Sequence, residues 1–343
     1  MTHPQSHFAG KVVLVTGAGG SIGSEICRKL AGFSVQELRM VGHSELPLYA
    51  VEKELATHEA ADGRRINHSF DKLDAGGKRT YLKAVLASVT DGKAMAAACE
   101  GVDIVIHAAA HKHVPLCEQN PIEAIQNNVG GTIELAHAAS RAGVKQFVLI
   151  SSDKAVKPSS VMGATKRACE LFVNLLSTRS STKFTTVRFG NVLNSSGSVL
   201  PLWREQIAQG KPITLTDKRC TRYFMSIPDA VELTLGAATL PRSGLYVLDM
   251  GTPVNMYDMA LKVQDEFPVT SPIIETGLRP GEKLEEELTY GGDLMKTAIA
   301  KVFAVHENAC GRLLRWEDFS DLLMAAKCRH KQMALDKLWE IVS

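Results

Sequence analysis

Short runs of β-branched and aliphatic residues recur along the chain, separated by stretches in which apolar residues return every three or four positions. Residues 11–16 (KVVLVT), 37–41 (ELRMV), 81–86 (YLKAVL), 103–107 (DIVIH), 146–150 (QFVLI) and 184–187 (FTTV) read as strands. Between them, residues 24–30 and the long stretch 121–142 have helical spacing. Such β-α alternation predicts an α/β fold built on a doubly wound parallel sheet, the Rossmann architecture. Another short strand, residues 244–249 (GLYVLD), is expected to return to that sheet.

The turn after the first strand carries the first chemistry. Residues 17–23 read GAGGSIG and lead straight into helical spacing. Gly17 permits the tight turn, Gly20 lets the backbone approach a pyrophosphate, and Gly23 lets the helix pack close to the sheet. Gly19, Ser21 and Ile22 complete the face turned to the phosphates, where first-turn amides and the helix dipole favour an anion. Ala108, Ala109 and Ala110 follow the strand ending at His107, and their small side chains would let backbone lie flat against a dinucleotide. Asp91, just past another strand, either accepts from an adenine amino group or caps the helix that starts at Gly92. The second strand ends in Gly42, without the carboxylate that usually holds the adenosine ribose. His43 and Ser44 could face a 2′-phosphate or cap the next helix, so NAD and NADP both stay open.

Composition narrows the class. Apolar residues make up 45% and charged residues 22% of 343, an ordinary globular balance with ample material for a core. A net charge of +2 gives no reason to expect nucleic acid or a membrane surface. No apolar run reaches the roughly 20 residues of a membrane span. The first ten residues lack the features of a signal peptide, so a cytoplasmic protein is expected. The seven cysteines are scattered with no C-x-x-C and read as reduced core thiols, with a redox role for Cys117 as the alternative. The eleven histidines show no metal-ligand spacing, and no catalytic metal is expected.

The reacting end lies past the apolar run 147–150, at Ser152-Asp153-Lys154, followed by MGATK with Met162 and Lys166 four residues apart. A Ser or Thr followed by Tyr-x-x-x-Lys is the working set of short-chain dehydrogenases. Here Met162 stands in the tyrosine's place, and a thioether neither gives nor takes a proton at neutral pH. In order along the chain stand TGAGGSIGSE, HAAAHKHVPLCEQNPIEAIQNNVGGT, SSDKAVKPSSVMGATKR, RFGNVLNSSGSVLPLW, TRYFMSIPDA and GLRPGEKLEEEL. With these motifs, over residues 10–305, the chain resembles the UDP-N-acetylglucosamine 4,6-dehydratases. These belong to the polysaccharide-biosynthesis branch of extended short-chain dehydrogenases/reductases, and the resemblance is to their short soluble form. Two positions depart from the pattern: Gly42, where many members have Asp, and Ser152, where threonine is common.

The resemblance implies a redox-neutral reaction. A tightly held NAD or NADP takes a hydride from C4 of a UDP-sugar, water leaves across C5 and C6, and the hydride returns to C6. Lys154 is then the base at C5 and Asp153 the acid for the C6 hydroxyl. With no tyrosine, Ser152 is expected to bind the C4 oxygen while Asp153 or Lys154 handles its proton, Met162 to pack near the sugar or nicotinamide, and Lys166 to hold the nicotinamide ribose. For those roles Lys154 must be partly neutral and Asp153 must hold a proton transiently, although a neighbouring amine and carboxylate favour the opposite. Substrate contacts are expected from Lys112 to the hexose, Asn191 to the diphosphate or sugar, and the backbone at Val199. Arg222 and Arg279 are expected to clamp the diphosphate, and Glu282 to take ribose hydroxyls. Asn191 serving only as a turn residue is the alternative, and Trp203 either lines a nucleotide slot or belongs to the core.

The dinucleotide unit is drawn at residues 1–190 plus 241–251. A smaller, discontinuous α+β substrate part is drawn at 191–240 plus 252–305, and a helical tail suited to homo-oligomer contacts at 306–343. Two other readings compete: a UDP-N-acetylhexosamine 4-epimerase, which needs no Asp-Lys pair, and a redox-dead NAD(P)-binding regulator.

Overall fold

The computed structural model describes residues 3–57, 66–68, 80–291, 294–306 and 313–343. In chain order the first strands are β1 (Val12–Thr16), β2 (Glu37–Gly42), β3 (Ile66–His68), β4 (Thr80–Leu86), β5 (Ile104–His107), β6 (Gln146–Ile150) and β7 (Lys183–Arg188). Together with Gly244–Leu248, Val302–Val305 and Leu294–Lys296 they form a ten-stranded sheet. Its order from the far edge is Leu294–Lys296, Val302–Val305, Gly244–Leu248, β7, β6, β5, β1, β2, β4, β3. All pairs from β3 to Gly244–Leu248 are parallel, and the last two strands are antiparallel. Every residue of β5 and β6 is buried, because helices cover both faces and leave no place for a polar-out alternation. β1 pairs with β2 on one side and β5 on the other, so strand addition reverses direction at its carboxyl end. In open α/β sheets a ligand crevice forms at that reversal.

Three apolar clusters organise the molecule. One lies under Gly131–Arg141 and Val161–Ser177. A second lies on the opposite face under Ser21–Ala31, Glu45–Ala56 and Ile227–Ala238. A third, smaller cluster surrounds Trp203 between the helices Val199–Ala208 and Met256–Gln264. Trp203 is fully buried and donates to the Thr214 carbonyl at 2.7 Å, so it is core.

The structure redraws several boundaries read from the sequence. Leu294–Lys296 and Val302–Val305 extend the main sheet rather than the substrate part. Ile227–Ala238 likewise packs on the sheet's second face, where Val231 and Leu235 fill the cluster shared with Ile26 and Leu30. The tail forms two helices, Trp316–Lys327 and Lys331–Val342, that pack on their own chain. Phe172 meets Trp316 and Phe319 edge-on, at ring distances of 5.4 and 5.2 Å. The stretch 121–142 is helical but not uniform. Pro121–Ala124 and Gly131–Arg141 are α-helical, while Ile125–Gly130 between them is a wider π turn, a distortion that often marks functional sites. No helix among the described residues is long and apolar enough to cross a membrane.

Candidate active site

A cleft of about 780 Å³ opens at the carboxyl ends of β1, β5 and β6, between the main sheet and the small Trp203 cluster. Its floor begins at the glycine turn. Gly17 has φ +65°, and a Cβ there would lie 2.8 Å from the Ala109 backbone. The β1 turn and the alanine loop after β5 therefore touch through main chain alone. Ser21–Ala31 starts at Gly20 with no side-chain cap, which leaves its first-turn amides free for an anion. Gly17, Gly19, Gly20, Ser21, Ile22, Gly23, Ala108 and Ala110 all line the cleft, and Ala109 lies directly behind Gly17. This surface fits the pyrophosphate of a dinucleotide. His107 anchors the loop from below: Nδ1 pairs with Thr16 Oγ1 at 2.7 Å and Nε2 with Thr132 Oγ1 at 3.0 Å. Burial, with Lys166 nearby, pushes this imidazole down to about 3, so it is a neutral brace.

The π turn supplies a second brace that sequence reading missed. Asn128 donates to the His111 carbonyl at 3.0 Å, and its Oδ1 accepts from the His111 amide at 2.7 Å. Its amide also donates to Thr165 Oγ1 at 3.0 Å, tying the alanine loop to Val161–Ser177. An amide-rich QNN in the middle of an apolar helix was the available signal. Cys117 is buried, and burial pushes its thiol up to about 11, which argues against a reactive thiolate.

The residues expected to react follow β6. Ser152 opens a single 3₁₀ turn, Asp153–Ala155. Asp153 has no exposed surface, and its Oδ1 accepts from Ser152 Oγ at 2.8 Å, the Lys154 amide at 2.8 Å and Lys154 Nζ at 3.1 Å. Lys154 Nζ also donates to Asn191 Oδ1 at 3.2 Å and lies 3.7 Å from Glu286 Oε1. Asn191 thus aims the lysine. Ser160 caps Val161–Ser177 by accepting from the Gly163 amide at 3.0 Å. A Cβ on Gly163 would press into the Lys154 carbonyl oxygen, so only glycine lets the helix sit this close to the turn. Met162 then faces the cleft, and Lys166, one helical turn on, donates to the Ile150 carbonyl at 2.6 Å. Burial holds the Lys166 ammonium below its ordinary range. Behind these groups, Ser151 and Arg188 both bind Glu170 (2.6 Å from Ser151 and 2.7 Å from Arg188), locking the end of β6 to the helix.

The opposite wall carries the expected substrate residues. Val199 begins a helix with no side-chain cap at Ser198, a second set of free amides facing the cleft. Lys112 Nζ donates to the Ser196 carbonyl at 2.8 Å, and Ser21 Oγ accepts from the Ser196 amide at 3.1 Å. The 195–196 turn thus bridges the cleft to the glycine loop. Arg222 lines the cleft, but its guanidinium donates to the carbonyls of Thr221, Lys283 and Leu284. Arg279 is exposed at the rim, and Glu282 accepts from its amide at 3.0 Å, closing that turn on itself. Asp91 caps Gly92–Cys99, accepting from the Lys93 and Ala94 amides at 3.0 Å each, which is the capping alternative. His43 and Ser44 are exposed beyond the cleft, with Ser44 at the start of Glu45–Ala56. Glu286 is the residue that sequence reading passed over.

Residues 13–307 match the family model described as "Polysaccharide biosynthesis protein". The chain belongs to this family. It is 46% identical over 327 residues to the probable polysaccharide biosynthesis protein EpsC of Bacillus subtilis, covering 92% of this chain and 52% of EpsC. It thus spans about half the length of that relative, and 45% of the Staphylococcus aureus capsular protein CapD. A Campylobacter jejuni relative, 32% identical over 83% of this chain and 79% of its own, is named UDP-N-acetylglucosamine 4,6-dehydratase (inverting). A Rickettsia canadensis relative, 34% identical over 84% and 80%, is named UDP-glucose 4-epimerase. Among solved structures, Pen from Bacillus thuringiensis superposes with a TM-score of 0.72 at 32% identity, covering 82% of this chain and 84% of that one. The family and its extended short-chain dehydrogenase/reductase fold agree with the sequence motifs.

Proposed function

We propose that the chain is a nucleotide-sugar 4,6-dehydratase that uses NAD or NADP and acts on UDP-N-acetylglucosamine or a close relative. The observation that carries this reading is the Asp153-Lys154 pair: Lys154 lines the cleft beside a methionine that cannot move protons, and the fully buried Asp153 sits directly behind it, bonded to Lys154 and to Ser152, which also lines the cleft. Oxidation and reduction at one carbon, as in an epimerase, need one proton carrier. Eliminating water from C5 and C6 needs an acid and a base together, each contributing roughly 10²- to 10⁴-fold. The name of the Campylobacter relative supports the dehydratase, and that of the Rickettsia relative supports the epimerase as second reading.

A bound nicotinamide would supply the acceptor for the C4 hydride and its donor at C6. The residues of this chain do the rest. The uncapped start of Ser21–Ala31 would hold the pyrophosphate, and Lys166 the nicotinamide ribose. Ser152 Oγ binds the C4 oxygen and passes its proton to Asp153 Oδ1, its hydrogen-bond partner at 2.8 Å. Lys154 Nζ takes the C5 proton, and Asp153 protonates the C6 hydroxyl as water leaves. The free first-turn amides of the helix that begins at Val199, with Arg222 and Arg279, would take the diphosphate, and Lys112 the hexose.

Incubation with UDP-N-acetylglucosamine in deuterated water tests this. The expected product is a 4-keto sugar nucleotide lighter by one water, with solvent deuterium at C5 seen by magnetic resonance. An unchanged sugar mass with C4 inverted would establish the epimerase instead.

A further inference from the structure

The dehydratase reading leaves a proton unplaced. Lys154 must meet C5 as a free amine while Asp153 is still a carboxylic acid, yet the two are hydrogen-bonded at 3.1 Å. Left to themselves they settle as ammonium and carboxylate. The lysine's proton therefore needs a second acceptor that does not discharge the acid.

We propose that Glu286 is that acceptor: a positioning residue behind Lys154 that takes its ammonium proton during the elimination and returns it afterwards. The inference rests on the dehydratase reading above. Three observations carry it. Glu286 Oε1 lies 3.7 Å from Lys154 Nζ, and only 5% of its side chain is exposed. Its Oε2 is buried without a hydrogen-bond partner, as is Asp153 Oδ2. Native proteins rarely leave carboxylate oxygens in that condition, and a group that must gain a proton in the working cycle is one reason to do so. Glu285 and Glu287 on either side are exposed, so Glu286 alone of the three turns inward.

The charges facing Glu286 are few. Asp153 and Lys154 come from the turn after β6, Arg222 from the strand Thr221–Arg222, and Lys283 from its own segment. Arg222 and Lys283 are already engaged by backbone carbonyls, the latter at Val156 at 2.9 Å. Two carboxylates thus share one lysine. Burial, reinforced by the Asp153 carboxylate, raises Glu286 above the ordinary glutamate range against the pull of Lys154. That brings its basicity nearer to an amine's.

The protons balance. The O4 proton released on oxidation arrives on Asp153. The Nζ–H bond of Lys154 breaks as an O–H bond forms on Glu286. The C5–H bond then breaks toward Nζ, and its electron pair forms the C5–C6 double bond. The C6–O bond breaks toward oxygen, which collects the Asp153 proton and leaves as water. When hydride returns to C6, Lys154 gives its proton to C5 and recovers another from Glu286. The site ends as it began, with the O4 proton carried off in water.

The test uses the full chain loaded with cofactor. Glu286→Gln keeps the shape and removes the acceptor. Near neutral pH, kcat should fall roughly a hundredfold while KM stays within about twofold, and reduced nicotinamide should accumulate because C4 oxidation does not need Glu286. Activity should climb as pH rises, since water must then deprotonate Lys154, and Glu286→Asp should restore part of the neutral rate. A loss equal at every pH, or an unchanged kcat, would overturn the proposal. Infrared titration without sugar separates the two readings. A protonated-carboxyl band that persists above the ordinary glutamate range in wild type and vanishes in Glu286→Gln supports the Glu286 assignment even if no dehydration is found. Its absence overturns the assignment even if the enzyme dehydrates.

Discussion

Replacing Lys154 by methionine isolates the electrostatics of the site from its packing. The chain length is nearly kept, but Asp153 and Glu286 lose the cation they share. Removing one partner of a buried ion pair typically costs about 3–5 kcal/mol. The lysine side chain is only 19% exposed, so water screens little of this. At about 2.1 cal/mol/K of unfolding entropy per residue, 343 residues give roughly 0.7 kcal/mol per degree, and the melting midpoint at pH 8 should drop by roughly 4–7 °C. The pH dependence is the sharper part. Without the cation, Glu286, already raised by burial, holds its proton to higher pH in the folded chain than in the unfolded one. The folded state binds more protons, so stability falls as pH rises, by about 1.4 kcal/mol per pH unit per proton. The deficit should therefore shrink steadily from pH 8 toward pH 5, and adding Glu286→Gln should recover part of it at pH 8. Calorimetry or circular-dichroism melts across this range provide the measurement. A deficit that is the same at pH 5 and pH 8 would mean that Lys154 contributes only packing, and the reasoning about a shared cation would be wrong.

Met162→Leu should keep kcat within a few-fold and cost under about 1.5 kcal/mol of stability, as volume-conserving swaps do; complete loss of turnover would give the thioether a role beyond packing. Gly163→Ala should do the reverse of what helix propensity alone predicts. Its methyl group meets the Lys154 carbonyl, so a loss of about 1–3 kcal/mol is expected from overpacking, together with a drop in kcat of order 10²-fold if Lys154 is displaced by as little as an ångström. A stabilised, fully active variant would show that the turn yields freely.

Much of the site was legible because its parts are local in sequence. The strand-turn-helix at residues 12–31 and the Ser152-Asp153-Lys154 turn each declare themselves within a few residues, since a backbone turn and an adjacent pair are short-range facts. Glu286 was hidden for the opposite reason. It sits 132 residues from Lys154, which it faces at 3.7 Å, inside an EEE run that resembles a solvated charge cluster. The irregular segment that turns its middle member inward has no periodicity to read, and its direction is visible only once the neighbouring wall is in place. The Glu170–Arg188 pair, only 18 residues apart, is equally silent, because nothing local shows that a helix residue and a strand residue face each other. Periodicity found the helix at 121–142 but not its π turn, because one extra residue in the turn barely alters an apolar repeat. The tail's helices were legible too, but the surface they cover was not, since an apolar stripe does not name its partner.

The closing pair of helices alters the standing of the segment that carries Met162 and Lys166. All but three of the 17 residues of Val161–Ser177 are buried. Most surface helices can absorb change by leaning toward solvent, but this one is enclosed from Val161 through Val173. A substitution under Phe319 or Leu338, far along the chain from the cleft, is therefore felt as a shift of the rod on which the chemistry is mounted. The end of the polypeptide is in that sense part of the machinery's bearing.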